Sequence, residues 1–262
     1  SETNVDFRTD NADFCFCIGV KNGVFEDRTY SDEVSKLTIG MDFQTQKRTK
    51  GKTGLIVGAT QNAIIKDLRI MANGEKLSLT QTELIDLKSD VTNKIDKVCN
   101  KGIQFLGDSE LCVIDNVFIY ADLPISFMVG CDFISVDNSL FACGIHGLSN
   151  IYFNKQGYTN IVFSNISSNL GLIPIYIDDN DSLISNMTFQ NMRVEQMNTL
   201  KVSDKFIGCV VFVGNAGWVE NLVFRDVMVP SKSNGFFFKS LQSGSIILDN
   251  INCIDATEDK KD

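Results

Sequence analysis

One short frame recurs along the chain and limits its fold more than any other feature. In this frame an Asn or Asp precedes alternating apolar residues, and a second Asn or Asp follows five residues after the first. The clearest copies are Asn62-Ala-Ile-Ile-Lys-Asp67, Asn160-Ile-Val-Phe-Ser-Asn165, Asn186-Met-Thr-Phe-Gln-Asn191 and Asn221-Leu-Val-Phe-Arg-Asp226. Weaker copies end at Asn22, Asn116, Asn138 and Asn250. Recurrence of this kind is typical of a solenoid.

The distance between copies indicates the length of one turn of the solenoid. Asn116 and Asn138 are 22 residues apart, and Asn138 and Asn165 are 27 apart. We interpret the longer gaps on either side of Asp67 as two turns each, and the gap from Asn191 to Asp226 as one turn with an insertion. Variable insertions at a constant repeat are how solenoids acquire loops.

The frame also predicts the local structure. Alternation with a period of two puts Ile64, Val162, Thr188 and Val223 on one side of their strands and the flanking residues on the other. An Asn at a sharp corner tolerates a left-handed backbone, and equivalent corners in successive turns can stack into a hydrogen-bonded ladder. We therefore predict an all-β, right-handed parallel β-helix over residues 1–254. An ordinary β-sandwich explains the strands but not the paired corners.

Two segments depart from the repeat. Around residues 78–100, apolar residues from Leu84 to Val98 follow helical spacing, and Ser78 or Thr82 can cap a helix there. This predicts a short helical or loop insertion on the flank of the solenoid. Residues 255–262 are charged and predict a solvated tail.

Charge and hydropathy exclude two classes of partner. The formal net charge of -9 would repel a phosphate backbone, so we expect no nucleic-acid partner. The basic stretch Lys47 to Lys52 is rich in Thr and Gly and predicts a solvated loop. No apolar run is long enough to cross a bilayer, so no membrane insertion is expected.

The eight cysteines do not predict a disulfide framework. Several lie inside or beside apolar runs, where free thiols pack well: Cys15, Cys17, Cys112, Cys143 and Cys209. Their spacing also lacks the paired motifs of a zinc site, and we predict no metal or cofactor. Reduced interior thiols favour assembly in a cytosol.

The repeat resembles the pectate-lyase-like β-helix superfamily, which includes pectinases, alginate lyases and phage tailspikes. Within the chain, Cys143-Gly-Ile-His146-Gly is similar to the Gly-His-Gly segment of polygalacturonase-type hydrolases. Upstream, Asp132 matches the second residue of that family's Asp-Asp segment, and the first is missing. Pro174-Ile-Tyr-Ile-Asp178 stands where the family has Arg-Ile-Lys, so both basic residues are missing. The resemblance implies Asp132 and His146 as catalytic candidates.

An acidic group follows the predicted strand that ends near residue 177. Asp178, Asp179 and Asp181 can supply acid and base groups or bind calcium, although a solvated turn explains them as well. Tyr176 can stack on a sugar ring. Trp218 is either a contact at the rim of a binding site or an anchor in the core.

Two functions from different classes fit these features. The first is a polysaccharide-interacting segment of a viral tailspike or appendage that binds a cell-surface glycan, as a homotrimer on the virion tail. The alternative is a secreted or cell-surface polygalacturonase-like hydrolase or polysaccharide lyase that acts on an acidic glycan. Inverting hydrolysis requires two carboxyl groups roughly 6.5 to 9.5 Å apart, and one Asp with one His does not supply them.

Overall fold

A computed structural model of the chain confirms the parallel β-helix. The strands of successive coils pair in register, and every strand-to-strand pairing is parallel. The structure describes residues 3–7, 14–21, 24, 27–41, 51–71, 80, 82, 83, 86, 91–143, 147–154, 156–178, 180–197, 209–230, 235–241 and 244–254.

The described strands form eight coils, preceded by β1 (Thr3–Phe7), which pairs with the third strand of the first coil. The first coil consists of β2 (Phe14–Ile18), β3 (Thr29–Tyr30) and β4 (Glu33–Met41), and the second of β5 (Thr53–Val57), β6 (Thr60–Gln61) and β7 (Ile64–Met71). The third to sixth coils have two strands each: β8 (Lys101–Phe105) and β9 (Ser109–Tyr120), β10 (Leu123–Phe127) and β11 (Cys131–Ala142), β12 (Ile151–Phe153) and β13 (Tyr158–Gly171), and β14 (Ile175–Ile177) and β15 (Asn180–Met197). The seventh coil is the long strand β16 (Cys209–Pro230), and the eighth consists of β17 (Gly235–Leu241) and β18 (Gly244–Ile254). One helix, α1 (Val91–Val98), lies between the second and third coils.

Two columns of left-handed residues bend the coils and divide them into three faces; the first column spans the first seven coils and the second spans all eight. The first corner column consists of Ser31, Asn62, Leu111, Phe133, Asn160, Asn186 and Asn221. The second corner column consists of Lys36, Asp67, Asn116, Asn138, Asn165, Asn191, Asp226 and Asn250. Face A contains the strands before the first column, face B lies between the columns, and face C follows the second.

The predicted corner residues are confirmed. All eight members of the four clear frames have φ between 49° and 62°. Among the weaker copies, Asn116, Asn138 and Asn250 are corners, and Asn22 lies outside the described residues. Each such Asn sits where its amide can bond to the neighbouring coil, which is why the residue type recurs.

Inward-pointing residues fill one continuous core. On face A, the rings of Phe105, Phe127 and Phe153 stack with successive centroids 4.7 Å apart. On face B, Phe163 and Phe189 stack at 5.1 Å, as do Phe189 and Phe224. The ring spacing follows the distance between strands in a sheet, so identical residues in register reinforce one another.

The prediction of two turns between Asp67 and Asn116 is wrong. Strand β7 pairs directly with β9, so Asp67 and Asn116 lie in adjacent coils. The extra length is the predicted flank insertion, which includes α1. Ile95 of α1 is fully buried against the outer side of face A. A helix on the flank accounts for the gap because it adds residues without adding a coil.

The cysteines are free thiols where the structure describes them. Cys99, Cys112, Cys131, Cys143 and Cys209 are buried, and Cys253 is exposed. Burial raises the pKa of the Cys112 thiol to about 11, which keeps the group neutral. Within the described ranges, no helix is both long and apolar enough to cross a membrane.

Candidate functional site

A shallow groove runs along face C. It has a volume of about 700 Å³ and runs beside the second corner column over the first five coils. Five coils at about 4.8 Å each make the groove roughly 20 Å long. An extended polymer lying along the solenoid axis would fit this shape better than a compact ligand.

Two parallel rows of side chains line the groove. One row is the second corner column from Lys36 to Asn165. The other is the first outward position of face C after each corner, occupied in successive coils by Thr38, Arg69, Phe118, Leu140 and Ser167. The repeat therefore sets the position of each side chain, whereas the residue types vary from coil to coil.

The corner row is held in place by a ladder of side-chain hydrogen bonds. Asn116 Nδ2 donates to Asp67 Oδ1 at 2.7 Å, and Asn138 Nδ2 donates to Asp115 Oδ1 at 2.9 Å. Asn165 Nδ2 donates to Asp137 Oδ1 at 2.7 Å. These bonds fix the amide groups at the coil repeat, so the wall of the groove is organised before any ligand arrives.

Charge in the groove is concentrated at its N-terminal end. Lys36 and Arg69 lie there in adjacent coils, and neither forms an ion pair in the described part of the chain. The carboxylate in the lining is Asp67, which accepts the hydrogen bond from Asn116. This end can thus attract an anionic group despite the net negative charge of the protein.

Asp132 lies on a different surface from the groove. It immediately precedes the first corner column, and its Oδ1 accepts hydrogen bonds from Phe133 N at 2.9 Å, Thr159 Oγ1 at 2.6 Å and Asn160 Nδ2 at 2.9 Å. These bonds satisfy one carboxylate oxygen and support the bend of the chain. The contacts of Asp132 are those of a corner-stabilising residue.

Three other residues of the predicted site cannot be placed in full. His146 and Asp179 lie outside the described residues. Asp181 belongs to β15, but its side chain is outside the described part. Their roles stay predictions from the sequence.

Asp178 and Tyr176 lie together in a buried cluster on the outer side of face A. Asp178 accepts hydrogen bonds from Tyr152 Oη at 3.1 Å and from Tyr176 Oη at 3.4 Å. Burial and the nearby Asp178 carboxylate raise the pKa of the Tyr152 hydroxyl well above its ordinary value. The Tyr176 ring is only 5% exposed and packs against the rings of Tyr152 and Phe212. It therefore has no open face for the sugar stacking expected from the sequence.

This burial results from a second layer of apolar residues that covers face A. Leu123, Tyr152, Tyr176 and Phe212 pack with Ile95 and Cys99 of the α1 region in a cluster separate from the main core. The strand that ends at Ile177 consequently does not open into a cleft. A period-two pattern identifies which residues point outward but not which outward residues another segment covers.

Trp218 is exposed, with 50% of its surface accessible, which favours a rim position over a core anchor. It lies beside Leu183 of the preceding coil, which is also exposed, and it is not part of the groove lining. Sequence reasoning missed Arg69 and Phe118 of the groove. Their position in the sequence could have identified them, because each stands two residues after a residue of the second corner column.

The described residues contain no group of three or more His, Cys, Asp or Glu side chains that could hold a metal ion. No protein-family model and no curated protein matches the chain. Among solved structures, the chain is similar to the alginate lyase from Paenibacillus sp. str. FPU-7, with 12% identity, a TM-score of 0.39, and coverage of 95% of this chain and 99% of that chain.

The chain is also similar to the Dettilon tailspike protein, with 11% identity and a TM-score of 0.36. The match covers 94% of this chain and 61% of the tailspike chain, so this chain spans less than two thirds of that protein. It is the parallel pairing of the strands, and not these distant likenesses, that establishes the fold.

Proposed function

We propose that this chain binds an extended polysaccharide in the face C groove and acts as the receptor-binding segment of a viral tailspike or a comparable cell-surface appendage. The observation that carries the proposal is the groove lining, which joins a fixed row of amides to an aromatic ring, hydroxyl groups and two cations. Such a segment would lie on a virion tail or at a cell surface, where glycans are accessible.

The uncharged part of the lining suits a sugar polymer. The amides of Asn116, Asn138 and Asn165 recur once per coil, and amide groups both donate to and accept from sugar hydroxyls. Phe118 and Leu140 provide apolar surface for the faces of pyranose rings. Polar groups on both sides of an apolar strip can thus orient a polysaccharide along the axis.

The charged end of the groove favours a glycan with acidic units. Lys36 and Arg69 can both face one carboxylate or sulfate, and the planar guanidinium of Arg69 can bind it with two hydrogen bonds. The groove is open to solvent, so these contacts should be weakened by salt. Affinity is expected to come from many modest contacts along the polymer.

The test compares binding of the natural chain with two groove variants by isothermal titration calorimetry against a panel of acidic and neutral polysaccharides. Phe118→Thr and Arg69→Thr use the residue that Thr38 already supplies at the equivalent position, so neither should disturb the coil. We expect each to weaken binding roughly tenfold. Met228→Thr is the matched control, because Met228 holds this position in the seventh coil, beyond the groove. Binding that survives both groove substitutions would contradict the proposal.

Incubating the protein with the same polysaccharides tests the enzymatic alternative. Hydrolysis releases reducing ends and a lyase leaves unsaturated products, so both can be followed on the glycans that bind. The contacts of Asp132 and Asp178 do not bring these two carboxyl groups together in the described structure. We expect binding without product; a product whose formation is lost in Asp132→Asn would instead support cleavage.

A further inference from the structure

An exposed apolar patch extends along the first corner column and onto the adjoining part of face B in the first four coils, away from the groove. Its members are 39% to 67% exposed: Tyr30, Ile64, Leu111, Val113 and Phe133. Ile64 pairs in register with Val113, and Leu111 lies directly beside Phe133 in the next coil. Exposed apolar side chains that cluster in this way mark an interaction site.

Two members of the patch hold a strained backbone. Leu111 and Phe133 occupy the first corner column with φ of 55° and 52°, where Asn62 and Asn160 stand in the flanking coils. Bulky side chains disfavour this conformation, whereas Asn tolerates it. In these two coils the backbone is strained and an apolar side chain is exposed to water, and both effects are unfavourable. The apolar side chains therefore have a role that folding alone does not explain.

The charges around the patch change sign along the solenoid axis. In the third and fourth coils it is flanked by Asp115, Asp132 and Asp137, and by Glu110, whose carboxylate forms an ion pair with Arg28. In the second coil the position equivalent to Asp115 is Lys66, which forms an exposed ion pair with Glu33. Such an exposed pair contributes little to stability, so Lys66 can form another pair at small cost.

We infer that two copies of this chain associate through this patch, face B to face B, about a two-fold axis that runs along the strands between the second and third coils. Rotation about this axis places the second coil of one copy opposite the third coil of the other, and the first opposite the fourth. Equivalent positions along the strands then face each other. Ile64 then packs on the partner's Val113, and Lys66 meets the partner's Asp115. The same operation brings Tyr30 of the first coil near the partner's Phe133.

A three-fold arrangement with parallel axes, which the resemblance implies, fits the charges less well. Parallel copies place equal coils at the same height, so the acidic third and fourth coils would lie level with one another. The two-fold contact, in which the order of the coils is reversed, instead places Lys66 of the second coil opposite the partner's Asp115 in the third coil. Charge complementarity therefore identifies a second copy, in reverse orientation, as the occupant.

The size of the patch predicts a reversible dimer. Four coils at about 4.8 Å and six residues at about 3.3 Å span roughly 19 Å by 20 Å, which is about half the 800 Å² per partner of a standard interface. We expect association in the micromolar range or weaker, with faster dissociation at high ionic strength.

The test measures self-association by sedimentation equilibrium over a wide range of protein concentration. The double variant Leu111→Asn/Phe133→Asn places at both corners the residue found in the flanking coils, so it should fold at least as well as the natural chain. We expect it to weaken dimerisation at least tenfold. Ile247→Thr is the control, because Ile247 is equally exposed on face B but lies in the eighth coil, and it should change nothing.

A second variant tests the orientation. Lys66→Glu should weaken the dimer more than Lys66→Gln, because only the Glu substitution places a second carboxylate opposite the partner's Asp115. A monomer at every concentration, a trimer, or a dimer indifferent to the double variant would each overturn the inference. Glycan binding by the double variant should be unchanged, since the groove lies on face C, so failure here is separate from failure of the proposed function.

Discussion

At the residue scale, the corner Asn combines two properties that no other side chain supplies together. Asn165 has a φ of 55°, donates from Nδ2 to Asp137 Oδ1, and accepts at Oδ1 from Asn191 Nδ2. A left-handed conformation costs roughly 1–2 kcal/mol for most residues, and each net hydrogen bond contributes about 1 kcal/mol. The corner is therefore specified by local backbone preference and by contact with both neighbouring coils.

Asn165→Ala should lower the free energy of unfolding by about 2–3 kcal/mol, because it removes the hydrogen bonds to Asp137, Asn138 and Asn191 and leaves a Cβ in the left-handed region. Asn165→Gly loses the same bonds without the backbone penalty, so its loss should be smaller. Urea denaturation of both variants measures the difference. Equal losses would show that the backbone preference of Asn plays no part at this corner.

The buried thiol of Cys112 makes stability depend on pH. Its pKa is raised to about 11 by burial, from 9.0, so the thiol ionises in the unfolded chain before it ionises in the folded one. The contribution of this thiol to the free energy of unfolding is fully present below pH 9 and is lost as the pH rises through about 11, a loss on the order of 2–3 kcal/mol. Urea melts of the natural chain and of Cys112→Ala between these pH values should show a shallower decline in the variant.

At the element scale, α1 contributes to the second apolar layer on the outer side of face A. Ile95 is fully buried and belongs to the same cluster as Tyr152, Tyr176 and Phe212. The helix therefore helps to close face A to solvent. Faces B and C have no such cover among the described residues and carry the patch and the groove.

Ile95→Ala should destabilise the chain by about 2–4 kcal/mol, the usual cost of truncating a buried aliphatic side chain. It should also increase the binding of a hydrophobic dye, because the second layer loosens over face A. Lys97→Ala, on the exposed side of the same helix, is the control and should leave both readouts unchanged. A small loss in Ile95→Ala would mean that face A is closed without α1.

At the scale of the whole molecule, each coil contacts mainly its neighbours, so stability is expected to vary along the axis. Phe224 of the seventh coil is fully buried, whereas Leu248, which pairs with it in the eighth coil, is 50% exposed. The C-terminal coil therefore shields its inward side chains poorly. Local opening should begin there.

Amide hydrogen exchange tests this gradient directly. Backbone amides of β18 should exchange well before those of β11, whose inward residues Ile134, Val136 and Phe141 are buried. Both strands lie in one molecule, so each serves as the reference for the other. Uniform exchange along the axis would contradict the nearest-neighbour description.

The sequence alone was sufficient to predict the parallel coil architecture, its Asn corners and a helical or loop insertion on the flank, since these depend on local rules. A left-handed corner favours Asn, a half-buried strand favours alternation, and the repeat places them in columns. The corners from Asn160 to Asp226 were found in this way. The candidate site was predicted less well. Asp132 and Asp178 belong to a corner and to a buried cluster, while Arg69 and Phe118 went unnoticed.

What only the tertiary structure decided is the environment of each outward side chain. Tyr176 and Ile64 both point away from the main core in alternating strands, yet one is buried beneath a second layer and the other is exposed. The difference comes from α1 and from the loop residues Leu148, Leu172 and Ile173, which join the apolar cluster on face A. Alternation reports only which side of a strand a residue occupies, whereas burial of that side depends on contacts that no local pattern encodes.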